Sequence, residues 1–287
     1  MNIKEVIRSV RRIELKTRSF SNQNFSGMNQ SSSQGLGMNF SEVREYHFGD
    51  ETRFIDWNVT ARYNNPHVKV FEEDREHVNV FFIDVSSSLD FGEKTRSKRR
   101  MLVELFATMM FSCAHNQDKI GAVFFSDEVV KYFEPKKGNK YVWQMLQFLI
   151  ENDFVYASSD PTVAFAFFQK TRWQKYRTFL FSDLIFSNTD EVIAAFKKVK
   201  KKNHAYVVKV YDQFELRSPV SGFYQFVNAE SGISSWVNGF SSNTKKEYKM
   251  LHNEINQIWI SECRKANIHL SFLATDDDIF SKLNGFF

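Results

Sequence analysis

The chain has 287 residues, a length that favours one domain with additions over two full domains. Hydrophobic residues make up 43% of it, enough for a sizeable core, and Phe alone contributes 31 positions. The net charge of +4, from 38 basic and 34 acidic side chains, does not by itself indicate a nucleic-acid partner.

The cysteines and the N-terminus bear on where the protein resides. Cys113 and Cys263 lie far apart and belong to no metal or redox motif, so we expect reduced thiols in an intracellular protein. Residues 1–20 alternate charged and aliphatic residues and lack the apolar run of a signal peptide. No stretch approaches the roughly 18 apolar residues that a membrane span needs. We therefore expect a soluble, cytoplasmic protein.

The first quarter of the chain differs in character from the rest. Residues 3–16 carry aliphatic side chains at helical spacing among basic ones, which predicts an amphipathic helix. Residues 19–37 are rich in Ser, Asn, Gln and Gly and predict a loop or mobile arm. Residues 40–73 are dense in charged and aromatic residues without a helical period, which indicates short strands and turns. We assign residues 1–76 to an N-terminal extension.

From residue 77 onwards, apolar runs alternate with helical patterns. The predicted strands are 78–83, 120–125, 178–181, 206–210 and 268–273, with 129–133 as a hairpin partner of the second. The predicted helices are 99–115, 141–151, 163–170, 191–201 and 245–266. Alternating residues and turn signals predict a small β-hairpin insertion near 212–238. Strands alternating with helices favour a Rossmann-type α/β fold, a mostly parallel sheet flanked by helices on both faces.

Two of the predicted strands end in an aspartate, Asp84 and Asp183. In parallel sheets, ligands bind at the carboxyl ends of strands near a topological switch point. Asp84, Ser86 and Ser88 alternate directly after the first strand, so an extended loop would point one carboxylate and two hydroxyls the same way. Hard oxygen ligands of this mix suit Mg²⁺, with waters completing an octahedron. The alternative is an ordinary turn, because Ser and Asp often bond to their own backbone.

A second group of polar residues lies in the N-terminal extension. Its members are Glu42, Arg44, Glu45, Asp50, Arg53, Asp56, Trp57 and Arg62. The preferred interpretation is a structural network of salt bridges and hydrogen bonds that pins this segment to the main domain. A catalytic acid and base would need separated pKa values, which a sequence does not show. A surface that a partner protein recognises is the third interpretation.

Motifs of familiar enzymes are missing from the sequence. The histidines show no His-Glu-x-x-His spacing typical of zinc sites, and no Gly-x-Ser-x-Gly elbow occurs. The basic run 197–202 lies at the end of a predicted helix, where cations are favourable, and has no interleaved aromatic residues. We therefore predict that the protein is not an enzyme and does not bind nucleic acid.

Several stretches together resemble one known family. The most distinctive is residues 37–62, which is followed by residues 69–73 and by the Asp-x-Ser-x-Ser loop. The further stretches are 118–126, 181–183, 211–215 and 283–287. They resemble the bacterial family called domain of unknown function 58, whose members are von Willebrand factor A-like proteins often associated with MoxR-type AAA+ ATPases. The resemblance covers essentially the whole chain and implies a von Willebrand factor A-like domain over residues 77–287.

The resemblance also implies a metal-ion-dependent adhesion site. In A-type domains of this kind the ion is held by the Asp-x-Ser-x-Ser loop, by a Thr from a second loop and by an Asp after a later strand. The first and last of these match Asp84, Ser86, Ser88 and Asp183.

The second loop departs from the pattern of the family. Where the family usually has Gly-Thr-Asp-Leu, this chain has Ser-Ser-Asp-Pro at 158–161. Ser159 would keep the hydroxyl, and Thr162 competes with it three residues further on.

We therefore expect a metal-dependent protein–protein interaction module that binds Mg²⁺ or Mn²⁺. Incomplete coordination would leave an open position that an Asp or Glu of a partner fills. The resemblance implies work with a MoxR-type AAA+ ATPase on an unknown client, in maturation or remodelling of protein complexes. One alternative is a structural A-type domain with a vestigial, metal-free site, and another is a metal-dependent hydrolase.

Overall fold

The computed structural model describes residues 3–24, 38–63, 65–73, 77–90, 97–154, 158–173, 175–200, 203–213, 223–227, 234–238 and 242–284. None of the helices within these ranges is long and apolar enough to cross a membrane. Most of the predicted loop at 19–37 and the end of the stretch 283–287 lie outside them. The chain forms two compact units, residues 26–76 and residues 1–25 with 77–287.

The smaller unit is built on a β-hairpin. Strand β1 (Met38–Glu45) pairs antiparallel with β2 (His67–Glu73), and helix α2 (Trp57–Tyr63) lies between them in the chain. The sequence predicts strands and turns here, so the helix is a difference. Asp56 accounts for it, because its carboxylate accepts hydrogen bonds from two backbone N–H groups of the first turn, at 3.0 and 3.2 Å.

Several charged residues of this unit pair with one another. Both guanidinium Nη atoms of Arg44 donate to the carboxylate of Asp50, each at 2.8 Å. Together with the backbone N–H of His47, this contact lowers the pKa of Asp50 to about 2. Lys69 lies 3.3 Å from the carboxylate of Asp56. These contacts form a structural network, and all of them lie within this unit, whereas the sequence predicts a network that pins the segment to the main domain.

The larger unit is an α/β fold with a six-stranded sheet. Its strands are β3 (Val78–Asp84), β4 (Lys119–Phe125), β5 (Val129–Lys136), β6 (Arg177–Ser182), β7 (Ala205–Tyr211) and β10 (His269–Ala274). Strands β8 (Phe223–Val227) and β9 (Ser234–Asn238) form a separate antiparallel hairpin within the predicted insertion. The order across the sheet is β10-β7-β6-β3-β4-β5, all parallel except β5. Successive strands run outward to one side from β3 and to the other from β6, so the topological switch point lies between these two strands.

Helices cover both faces of this sheet. One face packs against α1 (Ile3–Asn24), α3 (Lys98–His115), α4 (Asn139–Glu151) and the short α8 (Ile279–Asn284). The other face packs against α5 (Pro161–Gln169), α6 (Thr189–Lys200) and α7 (Ser242–Lys265). The predicted fold class, a mostly parallel sheet flanked by helices, is confirmed.

Two helices of the larger unit also differ from the sequence-based expectation. Helix α1 continues to Asn24, so residues 19–24 are helical where a loop is predicted. Its buried face is the predicted one, since Val6, Val10 and Ile13 all lie in the core. Helix α8 has no predicted counterpart, because six residues are too few to show a helical period.

A row of stacked rings crosses four neighbouring strands of the sheet. The ring of Phe81 on β3 stacks on that of Phe179 on β6, with centroids 4.7 Å apart. Phe179 stacks on Tyr206 of β7 at 4.8 Å, and Tyr206 on His269 of β10 at 5.0 Å. These residues are direct register partners, so side-chain stacking reinforces the parallel pairing of the strands beneath the candidate site.

Replacing Gly121 by Ala should destabilise the sheet. A Cβ at Gly121 on β4 would lie 2.7 and 2.9 Å from two ring carbons of Pro135 and 3.0 Å from the carbonyl oxygen of Phe133. Because this interior is closely packed, we expect a loss of about 2 kcal/mol in the free energy of unfolding, measured by urea denaturation. The same change in a Pro135→Ala background should cost much less. An unchanged denaturation midpoint for the single variant would contradict the close packing described here.

Candidate metal centre

Asp84 is the centre of the polar site at the carboxyl end of the sheet. It is the last residue of β3 and is only 1% exposed. Its Oδ1 accepts a hydrogen bond from the backbone N–H of Ser86 at 2.9 Å. Its Oδ2 accepts from the hydroxyls of Ser159 and Ser182, each also at 2.9 Å. Two loops and the end of β6 therefore meet on one buried carboxylate at the switch point.

The loop after β3 brings two further hydroxyls to this place. The Oγ atoms of Ser86 and Ser88 lie 3.0 Å apart, so the alternation seen in the sequence does point them the same way. The loop is held by the Val85 N–H, which donates to the carbonyl of Phe125 at 2.9 Å. A short 3-10 helix follows, and its buried Leu89 anchors the turn in the core.

The second loop supplies Ser159, and Thr162 has a different task. The N–H of Asp160 donates to the carbonyl of Ser126 at 2.8 Å, which fixes the loop beside the end of β4. The carboxylate of Asp160 then caps helix α5 and accepts from both the N–H and the hydroxyl of Thr162, at 2.9 and 2.7 Å. Of the two hydroxyls that the sequence leaves open, it is that of Ser159 which reaches Asp84.

The end of β6, together with the loop that follows it, contributes a residue that the sequence analysis missed. The Ser182 hydroxyl donates to Asp84 and accepts from the N–H of Leu184 at 3.0 Å. Leu184 is fully buried and has a φ of 57°, a left-handed conformation that costs a bulky residue free energy. Ser182 could have been identified from the sequence, because it directly precedes Asp183 at the end of a buried strand.

Asp183 lies in this loop as predicted, but a lysine holds it. The Nζ of Lys98 lies 3.1 Å from Oδ2 of Asp183, and the two side chains are 1% and 2% exposed. The other oxygen, Oδ1, accepts from the N–H of Ile185 at 3.3 Å. Lys98 begins helix α3, and nothing in its sequence neighbourhood distinguishes it from the two arginines that follow it.

The two carboxylates influence each other electrostatically. Burial, and secondly the negative charge of Asp183, raises the pKa of Asp84 to about 6. The hydrogen bonds from Ser86 and Ser182 act in the opposite direction but do not offset burial. The ionised form of Asp84 is thus disfavoured at this position. A cation bound beside it would stabilise the ionised form.

The side chains brought together fit a hard divalent cation. They offer two carboxylates and several hydroxyls, and such oxygen ligands suit Mg²⁺. In the part of the chain that the structure describes, no three His, Cys, Asp or Glu side chains form a metal-binding group. A cation at Asp84 would therefore depend on serine hydroxyls for much of its coordination.

The raised pKa of Asp84 predicts a pH dependence of stability in EDTA. An Asp in the unfolded chain has a pKa of about 3.9, so the folded state binds this proton more tightly. Relative to Asp84→Asn, the wild type should gain stability as the pH falls from about 7 to about 4, on the order of 3 kcal/mol in total. This contribution is lost again as the pH rises through about 6.

Urea denaturation of both proteins across this pH range measures the difference. Groups other than Asp84 titrate in both proteins, so their contributions cancel in the comparison. A difference in the free energy of unfolding that stays constant with pH would show that Asp84 has an ordinary pKa.

Known proteins similar to this chain were found by sequence and by structure. Uncharacterized proteins of Mycobacterium tuberculosis and Mycobacterium bovis are 26% identical to it over 201 residues. The match covers 69% of this chain and 63% of each relative, so the chain spans less than two thirds of the relatives' length.

Two solved structures from Bacteroides are also similar. The conserved hypothetical protein BatB from Bacteroides thetaiotaomicron is 12% identical with a TM-score of 0.46, over 72% of this chain and 96% of that one. An aerotolerance-related membrane protein from Bacteroides fragilis is 12% identical with a TM-score of 0.45, over 73% of this chain and 96% of that one.

A family model provides the assignment. It matches residues 42–257, which include the strands β3, β4, β6 and β7 and all the residues of the candidate site. The chain therefore belongs to the family described as protein of unknown function DUF58.

Proposed function

We propose that this chain is a metal-dependent protein-interaction module and that Mg²⁺ or Mn²⁺ binds at Asp84. The observation that carries the proposal is the convergence of two loops and the end of β6 on one buried carboxylate at the switch point of the sheet. A buried carboxylate with a raised pKa, surrounded by hydroxyls, is a place where a hard cation is strongly favoured.

The residues divide the work of binding between them. Ser86 and Ser88 present adjacent hydroxyls, Ser159 presents a third, and Asp84 supplies the negative charge. Ser182 positions Asp84, and Asp183 lies next to it as a second carboxylate held by Lys98. When bound, the cation supplies a centre of positive charge that is only partly neutralised and can accept a further oxygen ligand.

A carboxylate of a partner protein is the ligand that suits this remaining position. An Asp or Glu would add a negative charge to a site that has one ammonium and two carboxylates beside a divalent ion. Partner binding would then depend on the metal and on the geometry of the loops. We also infer, from family membership, that this partner is a MoxR-type AAA+ ATPase or its client in the maturation or remodelling of protein complexes.

The metal-dependent hydrolase has no specific observation in its favour. The side-chain hydrogen bonds that reach Asp84 come from serines, and Lys98 is committed to an ion pair with Asp183. The vestigial, metal-free site remains the direct competitor, and it differs from our proposal in one measurable property.

Metal titration distinguishes a metal-binding site from a vestigial, metal-free one. We expect isothermal titration calorimetry of the wild type with Mg²⁺ or Mn²⁺ to give saturable binding that Asp84→Ala abolishes. Ser159→Ala should weaken binding by about tenfold or more, because its hydroxyl contacts Asp84. Thr162→Ala is the matched control, since its hydroxyl bonds the cap of α5, and should leave the affinity unchanged.

The same titration contains the results that would count against the proposal. Absence of binding by folded wild-type protein would make the site vestigial. An effect of Thr162→Ala equal to that of Ser159→Ala would mean that the loop reaches the cation differently from the arrangement described here.

Partner binding should follow the metal. A MoxR-type ATPase from the same bacterium should be retained by the immobilised wild-type chain in Mg²⁺, and much less in EDTA or by Asp84→Ala. Quantified pull-down with purified proteins measures this, with Thr162→Ala as the folded control. Equal retention in Mg²⁺ and EDTA would place the ATPase contact elsewhere and leave the site without this partner.

A further inference from the structure

The lysine in the candidate metal centre is unusual because of its burial. Lys side chains are almost never fully buried unless they are paired, since removing an ammonium from water is costly. Lys98 is 1% exposed, and its Nζ lies 3.1 Å from Oδ2 of Asp183. A positively charged group is therefore fixed inside a site whose other polar groups suit a cation.

Lys98 reaches this position because of where helix α3 begins. Ser97 caps the helix by accepting from the N–H of Arg100 at 3.3 Å, which makes Lys98 the first helical residue. The helix packs on the face of the sheet that carries Phe81 and Phe181, and Asp183 follows directly after β6 on the neighbouring loop. The ammonium thus comes from a rigid element and not from a surface loop.

The charges of the site can be counted from these contacts. Asp84 and Asp183 carry two negative charges when ionised, and Lys98 carries one positive charge. The hydrogen bonds described for Asp84 come from serine hydroxyls and a backbone N–H, which are neutral. Among the residues that the structure describes, Asp183 is therefore compensated by a cation of the chain, whereas Asp84 is not.

We propose that Lys98 is a built-in counter-cation that neutralises Asp183 and so lowers the affinity of the site for divalent metal. This inference rests on the proposed function, because it concerns the same metal site. The ammonium keeps the metal-free site folded by pairing with one carboxylate, and it repels an incoming cation. The residue sets the metal concentration at which the module becomes able to bind its partner.

Removing the charge of Lys98 should therefore tighten metal binding. In Lys98→Met the site carries two uncompensated carboxylates, and we expect the dissociation constant for Mn²⁺, measured by isothermal titration calorimetry, to fall by about tenfold. Lys209→Met is the matched control. Lys209 is also buried, but its ammonium contacts Asn256 and not a carboxylate of the site, so this change should alter the dissociation constant by much less.

A second variant guards against loss of folding, because leaving Asp183 buried without its ammonium is destabilising. Lys98→Met combined with Asp183→Asn replaces the ion pair by neutral groups and keeps Asp84 as the charged one of the three side chains. If Lys98 neutralises Asp183, this double variant should bind Mn²⁺ within about threefold of the wild type. A loss of more than about tenfold would overturn the inference, because Asp183 would then act as an uncompensated ligand.

The outcomes distinguish this inference from the proposed function. If the wild type binds metal and folded Lys98→Met binds it no more tightly, only the counter-cation role fails. If Lys98→Met binds metal and the wild type does not, the role of the lysine is supported and the wild-type metal dependence fails. If neither folded protein binds, the proposed function fails and the inference fails with it.

Discussion

The burial of the Asp84 carboxylate is the constraint on which the functional site depends. The Asp84 carboxylate loses its hydration beneath two loops and the end of β6, and neutral hydrogen-bond donors replace only part of that loss. The raised pKa is the electrostatic expression of this cost. The surrounding hydroxyls and the position at the switch point are both consistent with a site that lacks positive charge beside Asp84.

The lack of positive charge beside Asp84 also distinguishes the two carboxylates of the site. Asp183 lies one strand away from Asp84, and its charge adds to the cost of ionising Asp84. A lysine from α3 pairs with Asp183, so the folded chain never has to hold both charges uncompensated. In the counter-cation role that we propose for Lys98, Asp84 is left as the carboxylate that would respond to a cation.

Much of this arrangement could be predicted from the sequence, and the failures have physical causes. The strands ending in Asp84 and Asp183 stand out because buried parallel strands are continuous apolar runs. Lys98 could not be recognised, because a lysine at a helix start looks the same whether it faces water or a buried carboxylate. The choice between Ser159 and Thr162 depended on which one the cap of α5 engages, and that is decided by backbone geometry. Helix α2 was missed since a cap, and not an apolar period, starts it.

The stacked rings beneath the site limit how a binding event can be transmitted. Phe81, Phe179, Tyr206 and His269 tie four strands together at the level of the middle of β3, and a closely packed interior does not deform gradually. The four strands therefore form a stiff support for the side chains of the candidate site. We expect any conformational change on cation binding to occur in the loop after β6, with its left-handed Leu184, and in the first turn of α3. The four strands should keep their positions.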